Sequence, residues 1–383
     1  MYEKAAGLSG SRMDRERMGY RDEYEGTKYK YIESMEHENV TGKMFRMDYI
    51  ERLVYQGKIA RSDIYLLRAV MFYRICTAKM VAEWILFYRH RYGEIECENL
   101  PILRPEIDLL EDGIDPTGSF TDRYVSTIEG RLKKLGQYSV VLHEAYVDRS
   151  SKNGRKFNYY IANDYTFHLV KTFFEDDSEM QYRGNYTLFP AHRKMAYMQS
   201  GIVAVKTFFN SLNAVITRER GFMIGAMKEI YIPDVKVDIV AGGQKWTIVI
   251  ESFAISFNLS EVTEKEIEER MRDKVLKIKR LLHHDQYITN RNNGKPPVKY
   301  RVIIVTDTWD ALSKVVKMAN EENCQTLYSG KVFFVSDIAL ARHKNNFRES
   351  SIVVYTKKDA DGRPLIGVQR IRPETIAENP WIS

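Results

Sequence analysis

The feature that most constrains the fold is the run at residues 300–306, Tyr-Arg-Val-Ile-Ile-Val-Thr, which is almost wholly apolar. A strand of this composition has to be covered on both faces, so it indicates a sheet with helices packed on each side. Helical spacing of apolar residues over residues 261–282 and 309–321 supplies such helices. Residues 166–345 therefore predict a mixed α/β domain. Its other strands are expected at residues 222–232, 235–240, 246–252 and 331–335.

The residues before this domain follow a different pattern. Residues 1–43 contain 17 charged residues of mixed sign and almost no aliphatic run, which predicts a flexible charged arm. Residues 44–165 contain helical patterns, the last over residues 121–135, followed by two strand-like runs that flank Asn153-Gly154. Asn-Gly is a strong hairpin signal, and three helices followed by a hairpin is the order of a winged helix-turn-helix domain. With residues 346–383 as a C-terminal extension, the chain is predicted to be a multidomain α+β protein.

Basic residues concentrate in the third helix and the hairpin of the predicted winged helix. Residues 121–160 hold eight Lys or Arg against four Asp or Glu, a net +4 that is most of the chain's +6. Long cations and small hydroxyl donors are the groups that contact duplex DNA. A winged helix that serves only dimerisation or another protein contact is the alternative. The predicted contacts to double-stranded DNA are Arg123, Ser126, Thr127, Arg131, Lys133, Lys134, Arg149, Lys152, Arg155 and Lys156.

Carboxylates lie at the ends of two strands of the predicted α/β domain. Asp234, Lys236 and Asp238 alternate with valine and isoleucine, so they share one face of a strand. Glu251 ends the next apolar strand, where a buried carboxylate needs a compensating charge. A divalent metal that Glu251 shares with Asp234 or with Asp238 would supply it. Strand-end acids that face solvent, with Lys236 as an ion-pair partner, are the alternative.

The order Pro233-Asp234, hairpin, Glu251 resembles the signature of the restriction-endonuclease-like superfamily, which is Pro-Asp, a hairpin, then Asp/Glu-x-Lys. The resemblance covers residues 190–340, and together with the winged helix it is similar to the replication-relaxation family of plasmid and mobile-element proteins. It implies a DNA-binding protein that acts with replication or mobile-element machinery in maintaining or processing such DNA. It also implies Mg²⁺ as cofactor, Asp234 and Glu251 as catalytic metal ligands, and a nuclease-like half that is often degenerate.

The lysine of that signature is missing, because Phe253 occupies its position. An apolar ring cannot stabilise charge on a phosphate. A replacement is available from the following helix, where Arg270, Lys274 and Lys277 share one face. Lys274 and Lys277 are the candidate catalytic cations, and Lys236 of the neighbouring strand is another source. A solvated helix is the competing interpretation, since glutamates crowd the same segment.

Other features narrow the function classes. The sequence lacks Walker A, GxGxxG, GxSxG and HExxH motifs, which argues against NTPases, dinucleotide enzymes, α/β-hydrolases and zincins. Three widely spaced cysteines, with no signal peptide or membrane-spanning run, predict a cytoplasmic protein. The leading hypothesis is DNA binding in plasmid or mobile-DNA maintenance, with a degenerate nuclease half. The alternatives are a Mg²⁺-dependent DNA endonuclease and a protein–protein scaffold that forms homodimers through the winged helix.

Overall fold

The computed structural model describes residues 35–39, 47–92, 122–148, 155–173, 191–209, 211, 213–224, 229–253, 264–291, 298–306, 309–322, 330–358 and 364–382. These residues form a mixed α+β structure, as the sequence predicts. They divide into two compact units, one within residues 34–190 and one within residues 191–383. None of the helices they form is long and apolar enough to cross a membrane.

The described part of the first unit combines helices with a four-stranded antiparallel sheet. Its helices are α1 (Met47–Tyr55), α2 (Arg61–Tyr73), α3 (Ala78–Tyr92), α4 (Asp122–Gln137) and α5 (Asp164–Phe173). Its strands are β1 (Met35–Asn39), β2 (Ile75–Cys76), β3 (Leu142–Asp148) and β4 (Arg155–Ile161). They pair in the order β1-β3-β4-β2, so β3 and β4 are the two strands of the predicted hairpin.

Helix α4 shows why its residues form a helix and which side it buries. Its large apolar residues recur every three or four positions, the spacing that places them on one face. The exposed positions Ser126 and Gly130 lie on the opposite face. The helix therefore presents a polar surface to solvent. The buried large apolar residues of α4 are Tyr124, Ile128, Leu132 and Leu135.

The second unit is built on a seven-stranded mixed sheet. Its helices are α6 (Ala191–Thr207), α7 (Glu264–Arg291), α8 (Trp309–Glu321), α9 (Asp337–Arg342), α10 (Phe347–Ser350) and α11 (Pro373–Glu378). Its strands are β5 (Val215–Arg218), β6 (Phe222–Ile224), β7 (Glu229–Tyr231), β8 (Val235–Ala241), β9 (Gln244–Phe253), β10 (Lys299–Thr306), β11 (Val332–Val335), β12 (Ile352–Lys358) and β13 (Pro364–Arg370). The sheet order is β13-β12-β11-β10-β9-β8-β5, with β9, β10 and β11 mutually parallel, while β6 and β7 form a separate two-stranded ribbon.

Strand β9 lies inside this sheet between β8 and β10 and is covered on both faces. Phe253 packs in one apolar cluster with Met271 of α7. Because side chains alternate along a strand, Glu251 shares the face of Phe253 and Ser252 points to the other face. Ser252 meets Gln199 of α6 there. Helices α6 and α7 therefore cover opposite faces of the sheet, as the apolar sequence of β10 predicts.

The structure corrects several predicted boundaries. Residues 35–39, predicted to belong to the charged arm, form β1, because backbone pairing with β3 gives this polar segment hydrogen-bond partners that composition does not reveal. Helix α5 extends the first unit beyond residue 165. Residues 346–383 are not an extension, since β12 and β13 continue the main sheet from β11.

Candidate functional site

Asp234 lies in the short connection between β7 and β8, directly after Pro233. Strands β8 and β9 are antiparallel, with Val235 opposite Ile250, so the beginning of β8 lies beside the end of β9. The Asp234 Oδ2 atom accepts a hydrogen bond from the backbone N–H of Ser252 at 2.9 Å. Strand pairing therefore brings Asp234 to the carboxyl end of β9, where Glu251 lies.

Glu251 is almost completely enclosed, with 5% of its side chain exposed. Its backbone lies opposite Ile304 of the parallel strand β10. The Tyr231 hydroxyl donates a hydrogen bond to Glu251 Oε1 at 2.8 Å. Its other oxygen, Oε2, is 2.8 Å from the Lys274 ammonium. Both oxygens of this carboxylate are thus held by donors from different elements.

Lys274 of α7 joins the two carboxylates. Its Nζ atom is 2.8 Å from Asp234 Oδ2 and 2.8 Å from Glu251 Oε2. It also donates a hydrogen bond to the backbone carbonyl of Ser252 at 3.1 Å. The same ammonium lies 5.6 Å from the centre of the Phe253 ring. Helix α7 therefore places the Lys274 ammonium beside Phe253, the position at which the signature of the resembled superfamily has its lysine.

Burial and mutual attraction set the charges of this Asp234–Glu251–Lys274 cluster. Burial alone would raise the pKa of Asp234, but the Lys274 ammonium and the Ser252 N–H hold it below its ordinary value. Burial raises the pKa of Glu251 to about 7 against the attraction of the Lys274 ammonium. Burial would lower the pKa of Lys274, but the two carboxylates raise it above its ordinary value. Near neutral pH the cluster therefore holds an ammonium, an ionised Asp234 and a Glu251 close to its titration midpoint.

Three residues of this neighbourhood were not found by sequence reasoning: Tyr231, Ser252 and Gln199. Burial, together with the adjacent Glu251, raises the pKa of the Tyr231 hydroxyl well above its ordinary value, so this group stays a neutral donor. Ser252 and Gln199 are polar residues at buried positions, 3% and 1% exposed. Only the polarity of Ser252 at the end of an otherwise apolar strand gives a signal in the sequence.

Several predicted site residues lie elsewhere. The side chain of Asp238 contacts the Lys236 ammonium and accepts a hydrogen bond from Thr247 Oγ1 at 2.6 Å. Residues advance about 3.3 Å along a strand, which places Asp238 about 13 Å from Asp234 along β8. Asp238 therefore does not share a metal with Glu251, and Lys236 does not replace the missing lysine. Lys277 is half exposed and pairs with Asp273 at 2.7 Å, one turn away on its own helix.

The chemistry of the cluster fits one kind of metal. Among the residues that the structure describes, no group of three or more His, Cys, Asp or Glu side chains is arranged to hold an ion. Two carboxylates are nevertheless the protein contribution that Mg²⁺ commonly takes, with water and substrate phosphates as its remaining ligands. Asp234 and Glu251 are the residues that would hold it.

The predicted DNA contacts of the first unit differ in their surroundings. Lys133 and Lys134 are exposed near the end of α4, with Lys133 2.9 Å from Glu129 on the same helix. Ser126 is exposed and Thr127 is half-buried. Arg123 lies in the first turn of α4, and Arg155 and Lys156 begin β4. Arg149 and Lys152 lie outside the described residues.

Arg131 is a correction to the predicted DNA surface. Its Nε atom donates to Asp63 Oδ1 at 2.9 Å, and its Nη2 atom contacts Asp63 Oδ2. Asp63 is fully buried and also accepts a hydrogen bond from the backbone N–H of Ala60 at the start of α2. A buried carboxylate needs a partner, so the guanidinium is turned toward the interior and joins α4 to α2.

In comparisons with known proteins, no protein-family model, no curated protein and no solved structure matches the chain.

Proposed function

We propose that the protein is a metal-dependent DNA endonuclease, with its cleavage site in the second unit and a duplex-binding surface in the first. The observation that carries this proposal is the convergence of Asp234, Glu251 and Lys274 at the end of β9. Metal-assisted cleavage of a phosphodiester needs ligands for the metal and a fixed positive charge for the phosphate. The cluster contains a candidate for each of these roles.

The two carboxylates are the groups that would hold Mg²⁺. When bound, such an ion polarises a phosphoryl oxygen and lowers the pKa of a water molecule. The hydroxyl of Tyr231 and the backbone N–H of Ser252 each hold one carboxylate in place. Ligands fixed by surrounding hydrogen bonds lose little freedom on binding a metal. The neighbouring groups therefore favour a preorganised pair of ligands.

Lys274 is suited to charge stabilisation rather than to proton abstraction. Because the carboxylates raise its pKa, the side chain carries a positive charge at neutral pH. A charged ammonium cannot accept a proton, but it stabilises negative charge that develops on a phosphate. About a third of the Lys274 side chain is exposed, compared with a twentieth of that of Glu251. Lys274 is thus the more accessible of the two to a phosphate.

The first unit supports a role in duplex binding through its element order. Helices α2, α3 and α4 precede the β3–β4 hairpin, and the short strand β2 between α2 and α3 pairs with β4. This order agrees with a winged helix-turn-helix, in which the recognition helix enters the major groove. The exposed face of α4 carries Ser126, Gly130, Lys133 and Lys134. These groups suit contacts with phosphates and base edges.

DNA binding without efficient cleavage is the second candidate, and it is the function that the resemblance to the replication-relaxation family implies. The observation that favours it is that Lys274 already pairs with both carboxylates at 2.8 Å. A metal would have to displace this ammonium from at least one of them. Under this second candidate function the protein acts in plasmid or mobile-DNA maintenance. The Asp234–Glu251–Lys274 cluster then stabilises the fold of the second unit and does not cleave DNA.

Nicking of supercoiled plasmid DNA with Mg²⁺ separates the two candidates. We expect the wild-type protein to convert the plasmid to the nicked form, and Glu251→Gln to abolish this conversion. Affinity for a DNA duplex, measured by fluorescence anisotropy without metal, should change less than about twofold in the variant, because the proposal assigns duplex binding to the exposed surface of the first unit. Wild-type protein that binds DNA but does not nick it at any Mg²⁺ or Mn²⁺ concentration would favour the second candidate.

A further inference from the structure

Ser252 links the cluster to the opposite face of the sheet. Its backbone N–H donates to Asp234 at 2.9 Å, and its backbone carbonyl accepts from Lys274 at 3.1 Å. Both contacts lie on the side of β9 that α7 covers. The Ser252 hydroxyl points to the other side and donates to Gln199 Oε1 of α6 at 3.2 Å. One residue therefore touches an acid, the lysine and a glutamine from the opposite layer.

Gln199 is an unusual choice for its position. The residue is 1% exposed, and its Nε2 atom is buried with no hydrogen-bond partner among the described residues. Burial of an amide donor without an acceptor is unfavourable, and a methionine would fill a similar volume without that cost. The other polar atom of the amide, Oε1, accepts a hydrogen bond from the Ser252 hydroxyl. Stability alone therefore does not explain the amide.

We propose that Gln199 is a positioning residue of the cleavage site. By accepting the Ser252 hydroxyl it anchors Ser252 on the far side of the strand, and the backbone N–H and carbonyl of this residue contact Asp234 and Lys274. Gln199 itself touches neither of these residues in the contacts that the structure shows; it acts through the strand, from behind the sheet. This inference rests on the proposed function, because the position of Asp234 matters most when the cluster holds a metal.

The test compares variants that differ only in this connection. Gln199→Met removes the acceptor, and Ser252→Ala removes the hydroxyl while keeping the backbone N–H and carbonyl. Thr207→Val is the matched control, since the Thr207 hydroxyl also belongs to α6 and is buried with no partner among the described residues. Each full-length protein is measured for Mn²⁺ affinity by electron paramagnetic resonance, for nicking rate at saturating Mg²⁺, and for its urea unfolding midpoint.

Partners of metal ligands typically change metal affinity by about 10- to 100-fold when removed. We expect Gln199→Met and Ser252→Ala each to weaken Mn²⁺ binding by about tenfold, and the double variant to be no weaker than either. Thr207→Val should stay within about twofold of wild type. Equal losses in Gln199→Met and the control, or fully additive losses in the double variant, would overturn the proposal.

A metal-free arm keeps this inference separable from the proposed function. Residues that share no partner have additive effects on unfolding, whereas residues joined through a shared partner do not. We expect the shifts in urea midpoint of Gln199→Met and Lys274→Met to be non-additive, because both side chains act on Ser252. The proposed function is tested separately: it requires that the wild-type protein binds Mn²⁺ and nicks DNA. Additive midpoints would reject the role of Gln199 even if the protein cuts DNA.

Discussion

The candidate site of the second unit and the predicted DNA surface of the first unit place their charged residues in different environments. In the second unit, the cluster at the end of β9 is buried, and each member is held by donors or acceptors from other elements. In the first unit, Lys133 and Lys134 lie on the exposed face of α4, and Lys133 pairs with Glu129 of the same helix. The contrast shows that neighbouring groups fix the position of a buried charged side chain. An exposed charged side chain takes a fixed position only when a ligand binds it.

Arg131 and Lys277 show that the sequence does not determine whether a charged side chain is buried in an ion pair or exposed to solvent. The sequence groups Arg131 with functional cations because it lies in the basic segment 121–160, and Lys277 because its helical spacing places it on one face with Lys274. The structure turns Arg131 inward to a buried aspartate and leaves Lys277 outward beside Asp273. The four predictions below test this division between buried and exposed charges.

The largest expected effect concerns the two lysines of α7 that share one predicted face. Lys274→Met should lower the single-turnover nicking rate by about 10²–10³-fold, since it removes a preorganised cation from the developing phosphate charge. Lys277→Met, three residues further along the helix, should leave the rate within about twofold, because an exposed pair with Asp273 contributes little. Equal loss in both variants would show that the helix contributes only general positive charge.

Arg131→Met is expected to act on folding and not on DNA. Removing one partner of a buried ion pair leaves Asp63 uncompensated, which costs about 3 kcal/mol in the free energy of unfolding. Urea denaturation measures this loss. DNA affinity of the folded variant should stay close to wild type once the unfolded fraction is accounted for. A variant with wild-type stability but strongly weakened DNA binding would instead show that Arg131 contacts DNA.

The pH dependence of metal use tests the buried cluster directly. Because burial raises the pKa of Glu251 to about 7, the proton must leave before this carboxylate binds a metal. The Mg²⁺ concentration for half-maximal nicking should therefore rise by about tenfold per pH unit as the pH falls below 7, and should level off above it. Initial nicking rates from pH 5.5 to 8.5 give this profile. A flat profile through neutral pH would mean that Glu251 is already ionised in the free protein.

The smallest expected effect belongs to the exposed lysines. Replacing Lys133 and Lys134 together by alanine should weaken duplex binding by about tenfold or less and flatten the slope of log affinity against log salt by about 2. The weakening should be similar for unrelated sequences, since phosphate contacts carry no sequence information. Fluorescence anisotropy at several salt concentrations measures both quantities. A duplex affinity that depends neither on salt concentration nor on these two substitutions would favour the scaffold hypothesis.

Sequence reasoning reached the strands of the site but only part of its chemistry. Apolar alternation and the expected hairpin between Asp234 and Glu251 predict that β8 and β9 are neighbours, which places the two acids side by side. Both acids could be named because their positions depend on local strand geometry. The choice among Lys236, Lys274 and Lys277 stayed open, because it depends on how α7 is rotated against the sheet.

What the sequence by itself determined is therefore the class of structure and its local periodicities. These are the α+β content, the covered central strand β10, the hairpin of β3 and β4, and the strand-end acids. Such features follow from backbone geometry over a few residues. The tertiary structure alone decided that Lys274 completes the cluster, that Arg131 faces inward, and that Tyr231 and Gln199 contact Glu251 and Ser252. Those outcomes depend on contacts between elements distant in the chain, where burial makes each polar group take the partner that packing brings within reach.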